Sequence, residues 1–155
     1  MLDVKSFKQT PGFCGPASLK IVLSYYGIEK SEAELAKISN CSKEKGTSAQ
    51  DIVDAAHKLG FKAETKDNCT FEDLKNYLRD KTPVIVDWFL NDEGHYSVVV
   101  GIDKENIYLQ DPSIGHLRAM KLETFYRVWF DFPESFLRSK DDLILRRIIA
   151  VEKGN

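Results

Sequence analysis

A cysteine at the junction between a loop and a helix is the feature that most constrains this sequence. Residues 7–19 read FKQTPGFCGPASL, and Pro11 and Gly12 predict a turn just before Cys14. Pro16 fits the first turn of a helix, and apolar residues then recur at helical spacing. The unpaired N–H groups and the dipole at a helix start stabilise an anion. We therefore predict that Cys14 is a nucleophile that reacts as its thiolate.

Two neighbours support this interpretation of Cys14. A glutamine amide donates hydrogen bonds without ionising, so Gln9 suits an oxyanion that forms when sulfur attacks a carbonyl group. Gly15 lacks a Cβ and is expected to let a substrate backbone approach the sulfur. The alternatives are a small buried cysteine without chemistry and a solvated loop glutamine.

Length and composition predict one domain that spans residues 1–155. The chain is 43% hydrophobic, which is enough to build a core, and its net charge of −2 argues against nucleic-acid binding. It contains neither a signal peptide nor an apolar run of membrane-spanning length, so we expect a cytoplasmic protein without an intrinsic membrane segment. Three scattered cysteines without a CxxC pair predict no disulfide framework, no metal site and no cofactor, and we assign Cys41 and Cys69 to packing or loops.

The pattern of the chain predicts helices first and strands afterwards. Helix starts are expected at four positions, the last three marked by capping boxes: Cys14, Ser31, Thr47 and Thr70. Strands are expected over residues 61–65, 84–90, 95–102, 107–111, 116–120 and 143–151, with a further helix over 122–129. Short turns between the consecutive strands predict an antiparallel meander, and the order of elements predicts an α+β fold.

The predicted meander brings two more reactive side chains together. His95 follows a glycine-containing turn and Asp111 ends a neighbouring strand, so strand pairing places both toward the same end of the sheet. A cysteine enzyme needs an imidazole that exchanges the thiol proton and a carboxylate that orients the imidazole. The alternatives are a strand-end histidine and a turn aspartate without chemistry, or a weakly indicated metal site. We assign His57 to a helix C-terminus and His116 to the surface.

Three blocks of this sequence resemble the C39-like branch of papain-like cysteine peptidases. They are Gln9 with CGPASL at residues 14–19, GHYSVVVG at residues 94–101, and Asp111 with the proline that follows it. The resemblance covers nearly the whole chain. It implies a papain-like fold in which an N-terminal helical half, headed by the nucleophile helix, packs on a C-terminal antiparallel sheet.

The resemblance also implies roles for four residues. Cys14 would be the nucleophile, His95 the general acid and base, Asp111 its orienting partner, and Gln9 the oxyanion donor together with the Cys14 N–H. Gln9 lies five positions before Cys14, whereas six are expected in most relatives. The best-known members cut leader peptides after a double glycine as domains of peptide-exporting transporters.

We therefore expect a cysteine peptidase that acts on a peptide or protein substrate through a thioester acyl-enzyme. The sequence contains neither the membrane region nor the nucleotide-binding domain of those transporters, so any transporter would be a separate partner. The alternative is a C39-like module that binds peptides without cutting them. Transpeptidation is a further alternative, because phytochelatin synthases share a stretch similar to residues 14–19.

Overall fold

The computed structural model describes residues 1–154 and contains five α-helices and eight strands. The helices are α1 (Cys14–Tyr25), α2 (Glu32–Ile38), α3 (Ala49–Lys58), α4 (Phe71–Arg79) and α5 (Leu122–Val128). The strands are β1 (Phe61–Lys66), β2 (Val84–Leu90), β3 (Glu93–Ile102), β4 (Asn106–Asp111), β5 (His116–Lys121), β6 (Phe130–Asp131), β7 (Ile144–Leu145) and β8 (Arg147–Lys153). A short 3₁₀ helix, Lys140–Asp142, precedes β7.

Six strands form one antiparallel sheet in the order β1-β8-β2-β3-β4-β5. The consecutive strands β2 to β5 form the predicted meander, and β6 pairs with β7 in a separate small sheet. Hydrophobic side chains cover both faces of the large sheet, with α1 and α3 on one face and α4 and α5 on the other. The predicted α+β organisation is confirmed.

Side-chain caps fix three of the helix starts. Ser31 Oγ accepts a hydrogen bond from the Glu34 N–H at 3.1 Å, and Thr70 forms a complete capping box with Asp73. The third cap is Ser48 rather than the predicted Thr47, because the Thr47 hydroxyl donates to the Ser39 carbonyl oxygen instead. The predicted helices are therefore present, with one start shifted by a residue.

The hairpin before the predicted histidine differs from expectation. A four-residue turn over 91–94 was expected, but β3 begins at Glu93 and only Asn91 and Asp92 form the turn. Both turn residues have positive φ, 51° and 65°, as a two-residue type I′ hairpin requires. Gly94 thus lies inside the strand and pairs with Phe89, and His95 is the third residue of β3.

The closing strand is split in two. One strand over 143–151 was predicted, but Arg146 has a φ of 48° and separates β7 from β8. β8 then inserts between β1 and β2, and this makes the last strand the second of the six, inside the sheet rather than at its edge. Non-local pairing of this kind leaves no mark in local sequence patterns.

Gly15 has a packing role that differs from the one predicted. It is buried, and a Cβ there would lie 2.8 Å from Cγ2 of Thr47, so the small residue makes room for the Thr47 side chain rather than for a substrate.

We expect Gly15→Ala to lower the free energy of unfolding by about 1–3 kcal/mol in urea denaturation, because the added methyl group would overpack the contact with Thr47. The double variant Gly15→Ala/Thr47→Ser should recover part of the loss. Unchanged stability of the single variant would contradict this account.

Candidate active site

A rigid turn leads into α1. The Phe13 N–H donates to the Thr10 carbonyl oxygen at 2.9 Å, and Gly12 has a φ of 86°, as expected of a type II turn with proline at its second position. The Glu32 carboxylate accepts from the N–H and the hydroxyl of Thr10, at 2.8 and 2.6 Å. A Cβ at Gly12 would lie 2.8 Å from the Lys43 carbonyl oxygen. The loop is therefore held from two sides at the point where α1 begins.

Cys14 is the first residue of α1, as predicted, and its side chain is partly exposed. No side chain caps this helix, so the N–H groups of its first turn keep their hydrogen-bonding capacity and their partial positive charge. The side chain lines a cleft of about 430 Å³ between the start of α3, the sheet and the segment after β6. A thiol in this position is open to a ligand and lies at the positive end of a helix dipole.

The structure brings His95 and Asp111 into direct contact. Nε2 of the buried His95 lies 2.7 Å from Oδ1 of the buried Asp111. Burial by itself would lower the pKa of His95, but the hydrogen bond with Asp111 and the adjacent Cys14 outweigh it and raise the pKa to about 9. Burial opposes the charge of Asp111 as well, yet the bond with His95 holds the pKa of that carboxyl well below its usual range. The pair is thus a charged one at neutral pH.

Two further residues hold Asp111, and the sequence interpretation missed both. Arg118 Nε donates to Asp111 Oδ2 at 2.7 Å, and the N–H and hydroxyl of Ser113 donate to Oδ1 at 3.0 and 2.9 Å. The strand register could have identified Arg118. His116 pairs with Asp111 across β4 and β5, so Arg118 lies two residues further along β5 on the same face as Asp111. Asp111 is therefore fixed by four hydrogen bonds, including the one with His95.

An aromatic ring supports the histidine. The indole of Trp88 packs edge-on against His95 with 5.6 Å between ring centroids, and its N–H donates to the Ser97 hydroxyl at 3.0 Å. The Arg118 guanidinium lies 5.9 Å from the Trp88 ring on its way to Asp111. Trp88 thus restricts the orientations of both charged side chains.

Arg118 is expected to tune the titration of His95. In Arg118→Met, Asp111 loses the positive charge that partly offsets its own, so it should hold the imidazolium more strongly and raise the pKa of His95 above about 9. An NMR pH titration of the His95 ring measures this shift. Arg127→Met is the control, because Arg127 pairs with the exposed Glu123. An identical titration in Arg118→Met and wild type would contradict the expectation.

Gln9 is tied to the loop that carries Asp111. Its backbone N–H donates to the Pro112 carbonyl oxygen at 2.9 Å, directly after Asp111 in the chain. The side chain is partly buried, and its Oε1 atom accepts no hydrogen bond within residues 1–154. The segment before Cys14 and the end of β4 are therefore held together, although they are about a hundred residues apart in sequence.

The remaining cysteines and histidines lie where packing or surface roles were expected. Burial raises the pKa of Cys69 to about 11 and also raises that of Cys41, so neither thiol is activated. His57 Nε2 lies 3.0 Å from the Ala63 carbonyl oxygen, and His116 is exposed.

Within residues 1–154, no cluster of three or more His, Cys, Asp or Glu side chains is arranged to hold a metal ion. None of the helices described there combines the length and apolarity that a membrane crossing requires.

Comparisons with known proteins agree with this geometry. Residues 7–132 match the model of the peptidase C39 family. An uncharacterized protein of Methanothermobacter marburgensis is 33% identical over 129 residues, which cover 78% of this chain and 85% of that protein. The transport/processing ATP-binding protein ComA of Streptococcus pneumoniae is 36% identical over 121 residues, 75% of this chain but 16% of ComA.

Solved structures extend the similarity to nearly every residue. The peptidase domain of Streptococcus ComA, a bi-functional ABC transporter, superposes with a TM-score of 0.76 at 28% identity, covering 97% of this chain and 98% of that domain. A double glycine motif protease from an AMS/PCAT transporter, solved with a leader peptide, has the same fold, with a TM-score of 0.75 at 22% identity over 98% of this chain and 93% of that one. The predicted papain-like fold of the C39 type is confirmed. The chain belongs to the peptidase C39 family.

Proposed function

We propose that this protein is a cysteine peptidase in which Cys14, His95 and Asp111 form the catalytic triad of a single domain spanning residues 1–155. The observation that carries the proposal is the 2.7 Å contact of His95 with Asp111, in a structure where Cys14 heads an uncapped helix and raises the pKa of His95. Membership of the peptidase C39 family supports the reaction class. The free cysteines fit a reducing compartment, so the proposal includes a cytoplasmic location.

The histidine has the geometry of a proton carrier between sulfur and leaving group. Its Nε2 is occupied by Asp111, which leaves Nδ1 to exchange a proton with Cys14. At neutral pH His95 starts as the imidazolium, holding the proton taken from the Cys14 thiol, and the resulting thiolate attacks the carbonyl carbon of the scissile peptide bond. Collapse of the tetrahedral intermediate breaks the C–N bond, and His95 gives its proton to the departing amine.

The acyl-enzyme is then hydrolysed. His95 accepts a proton from water, the hydroxide attacks the thioester carbonyl carbon, and the C–S bond breaks to release the peptide acid and the Cys14 sulfur. The negative oxygen in both intermediates would accept hydrogen bonds from the Cys14 N–H and the Gln9 side-chain amide. Two observations support this oxyanion site. The Gln9 backbone is hydrogen-bonded to Pro112, directly after Asp111, and no side chain caps the N–H groups at the start of α1.

A peptide with a double-glycine leader is the proposed substrate, and a separate transporter is the proposed partner. The AMS/PCAT protease supports the substrate, because it is a double glycine motif protease solved with a leader peptide. It and the ComA domain support the partner, because both come from transporters. The test is incubation of the purified protein with peptides that carry a Gly-Gly pair, followed by mass spectrometry. Cleavage after the second glycine supports the proposal. Tight binding of the same peptides without any turnover would favour the non-cleaving module instead.

A further inference from the structure

Two carboxyl groups meet in the cleft beside Cys14, and the proposed chemistry uses neither. Asp87 lies on β2, and Asp131 ends β6. Both side chains line the 430 Å³ cleft that Cys14 also lines. Asp87 pairs in register with Tyr96 of β3 and Arg147 of β8, so its side chain points to the sheet face on which α1 packs.

Asp87 is buried far more deeply than an aspartate normally is. Only 3% of the residue is exposed, and Oδ1 accepts no hydrogen bond within residues 1–154. Burial and the contact with Asp131 raise the pKa of Asp87 well above its usual range. Two carboxyl groups so close to each other require either a shared proton or a cation between them.

Within residues 1–154, the cation that acts on Asp87 is engaged by another carboxylate. Arg147 lies opposite Asp87 on β8 and partly offsets its charge, but its Nε and Nη2 atoms donate to the two carboxylate oxygens of Asp67 at 2.6 and 3.0 Å. At the rim of the cleft lie the exposed Lys45 and the exposed Glu134, which pairs with Arg138 at 3.2 Å. The interior of the cleft is therefore acidic.

The pair lies next to the strand that carries the histidine. The Asp131 carboxyl rests on the backbone of Gly94, where a Cβ would lie 2.7 Å from Asp131 Cγ. Gly94 directly precedes His95 in β3, so Asp131 contacts the strand that carries the proposed acid and base. A glycine at position 94 is thus needed for Asp131 to reach the cleft floor.

We propose that the Asp87–Asp131 pair is a subsite for one positively charged side chain of the peptide substrate, a lysine or arginine close to the scissile bond. The ammonium or guanidinium group would replace the shared proton and donate to both carboxylates, which ends their mutual repulsion. This inference rests on the proposed function, since it names a feature of the substrate for that same cleft. It predicts that binding of the cation releases a proton.

The test is a binding scan with the non-cleaving Cys14→Ala variant. Double-glycine peptides carry a single lysine or its uncharged analogue norleucine at each position from three before to three after the glycine pair, and calorimetry measures each affinity. At one position we expect lysine to bind about tenfold more tightly than norleucine or better. Adding Asp87→Asn should remove that difference, and Asp131→Asn provides a second variant should the first not fold. Glu105→Gln, an equal charge change in the exposed β3–β4 turn, should leave it intact.

The pH dependence gives a second readout. Protons compete with the cation for the pair, so affinity for the lysine peptide should fall as the pH is lowered while norleucine binding stays constant. The other groups facing Asp87 are Cys14, Tyr96 and Arg147; burial raises the pKa of Tyr96 well above its usual range, and Cys14 is absent from the variant. Equal affinities for lysine and norleucine at every position would overturn the subsite. Because binding is measured without cleavage, a wild-type protein that cuts none of these peptides would overturn the peptidase proposal alone.

Discussion

Replacing Cys14 with alanine is expected to abolish cleavage of double-glycine peptides while leaving peptide binding intact. Without the sulfur no thioester can form, and His95 and Asp111 have no nucleophile to activate. Losing the nucleophile of a triad typically lowers kcat by about 10⁴-fold or more, because the members act as a unit. The measurement is product formation by mass spectrometry under single-turnover conditions.

The matched control for this experiment is Cys41→Ala. Cys41 lies in the segment between α2 and α3, and burial raises the pKa of its thiol, so its removal should leave the rate unchanged. Calorimetry should show that Cys14→Ala still binds the intact peptide, because only the sulfur is lost. Cleavage that persists in Cys14→Ala would contradict the assignment of the nucleophile.

Replacing His95 with alanine is expected to slow alkylation of Cys14 by iodoacetamide at pH 7 by about tenfold or more. A free cysteine is only about 3% thiolate at pH 7, whereas an adjacent imidazolium stabilises the reactive anion. The pKa of His95 is raised to about 9, so the imidazolium is present at neutral pH and loses its proton as the pH rises through about 9. The advantage of wild type should therefore be large below pH 8 and should shrink above about pH 9.

Mass spectrometry assigns the alkylated residue in each protein and so separates Cys14 from the two other thiols. His57→Ala is the control, because His57 lies at the end of α3, where its Nε2 hydrogen-bonds with the Ala63 carbonyl oxygen. Its alkylation profile should match that of wild type. The same pH profile in wild type and His95→Ala would mean that the imidazole does not activate the thiol, and would favour the peptide-binding module.

Local patterns in the sequence predicted most of the elements of the fold. Side-chain caps, turn residues and apolar periodicity depend on neighbours within about four positions, so the starts of α1, α2 and α4 and the bounds of β2 were predicted correctly. The contact between His95 and Asp111 was predictable for a related reason. The two strands are joined by a short turn, which fixes their register within narrow limits.

Features that depend on distant segments were decided by the tertiary structure alone. β8 enters the middle of the sheet and places Arg147 beside Asp87, and β6 carries Asp131 onto Gly94. No pattern around any of these residues records the pairing, because it follows from how separate apolar surfaces bury one another. The sequence by itself determined the nucleophile helix, the histidine strand and the family. Only the tertiary structure brought Asp87 and Asp131 together in the cleft beside Cys14, because contacts between distant segments form only when the core packs.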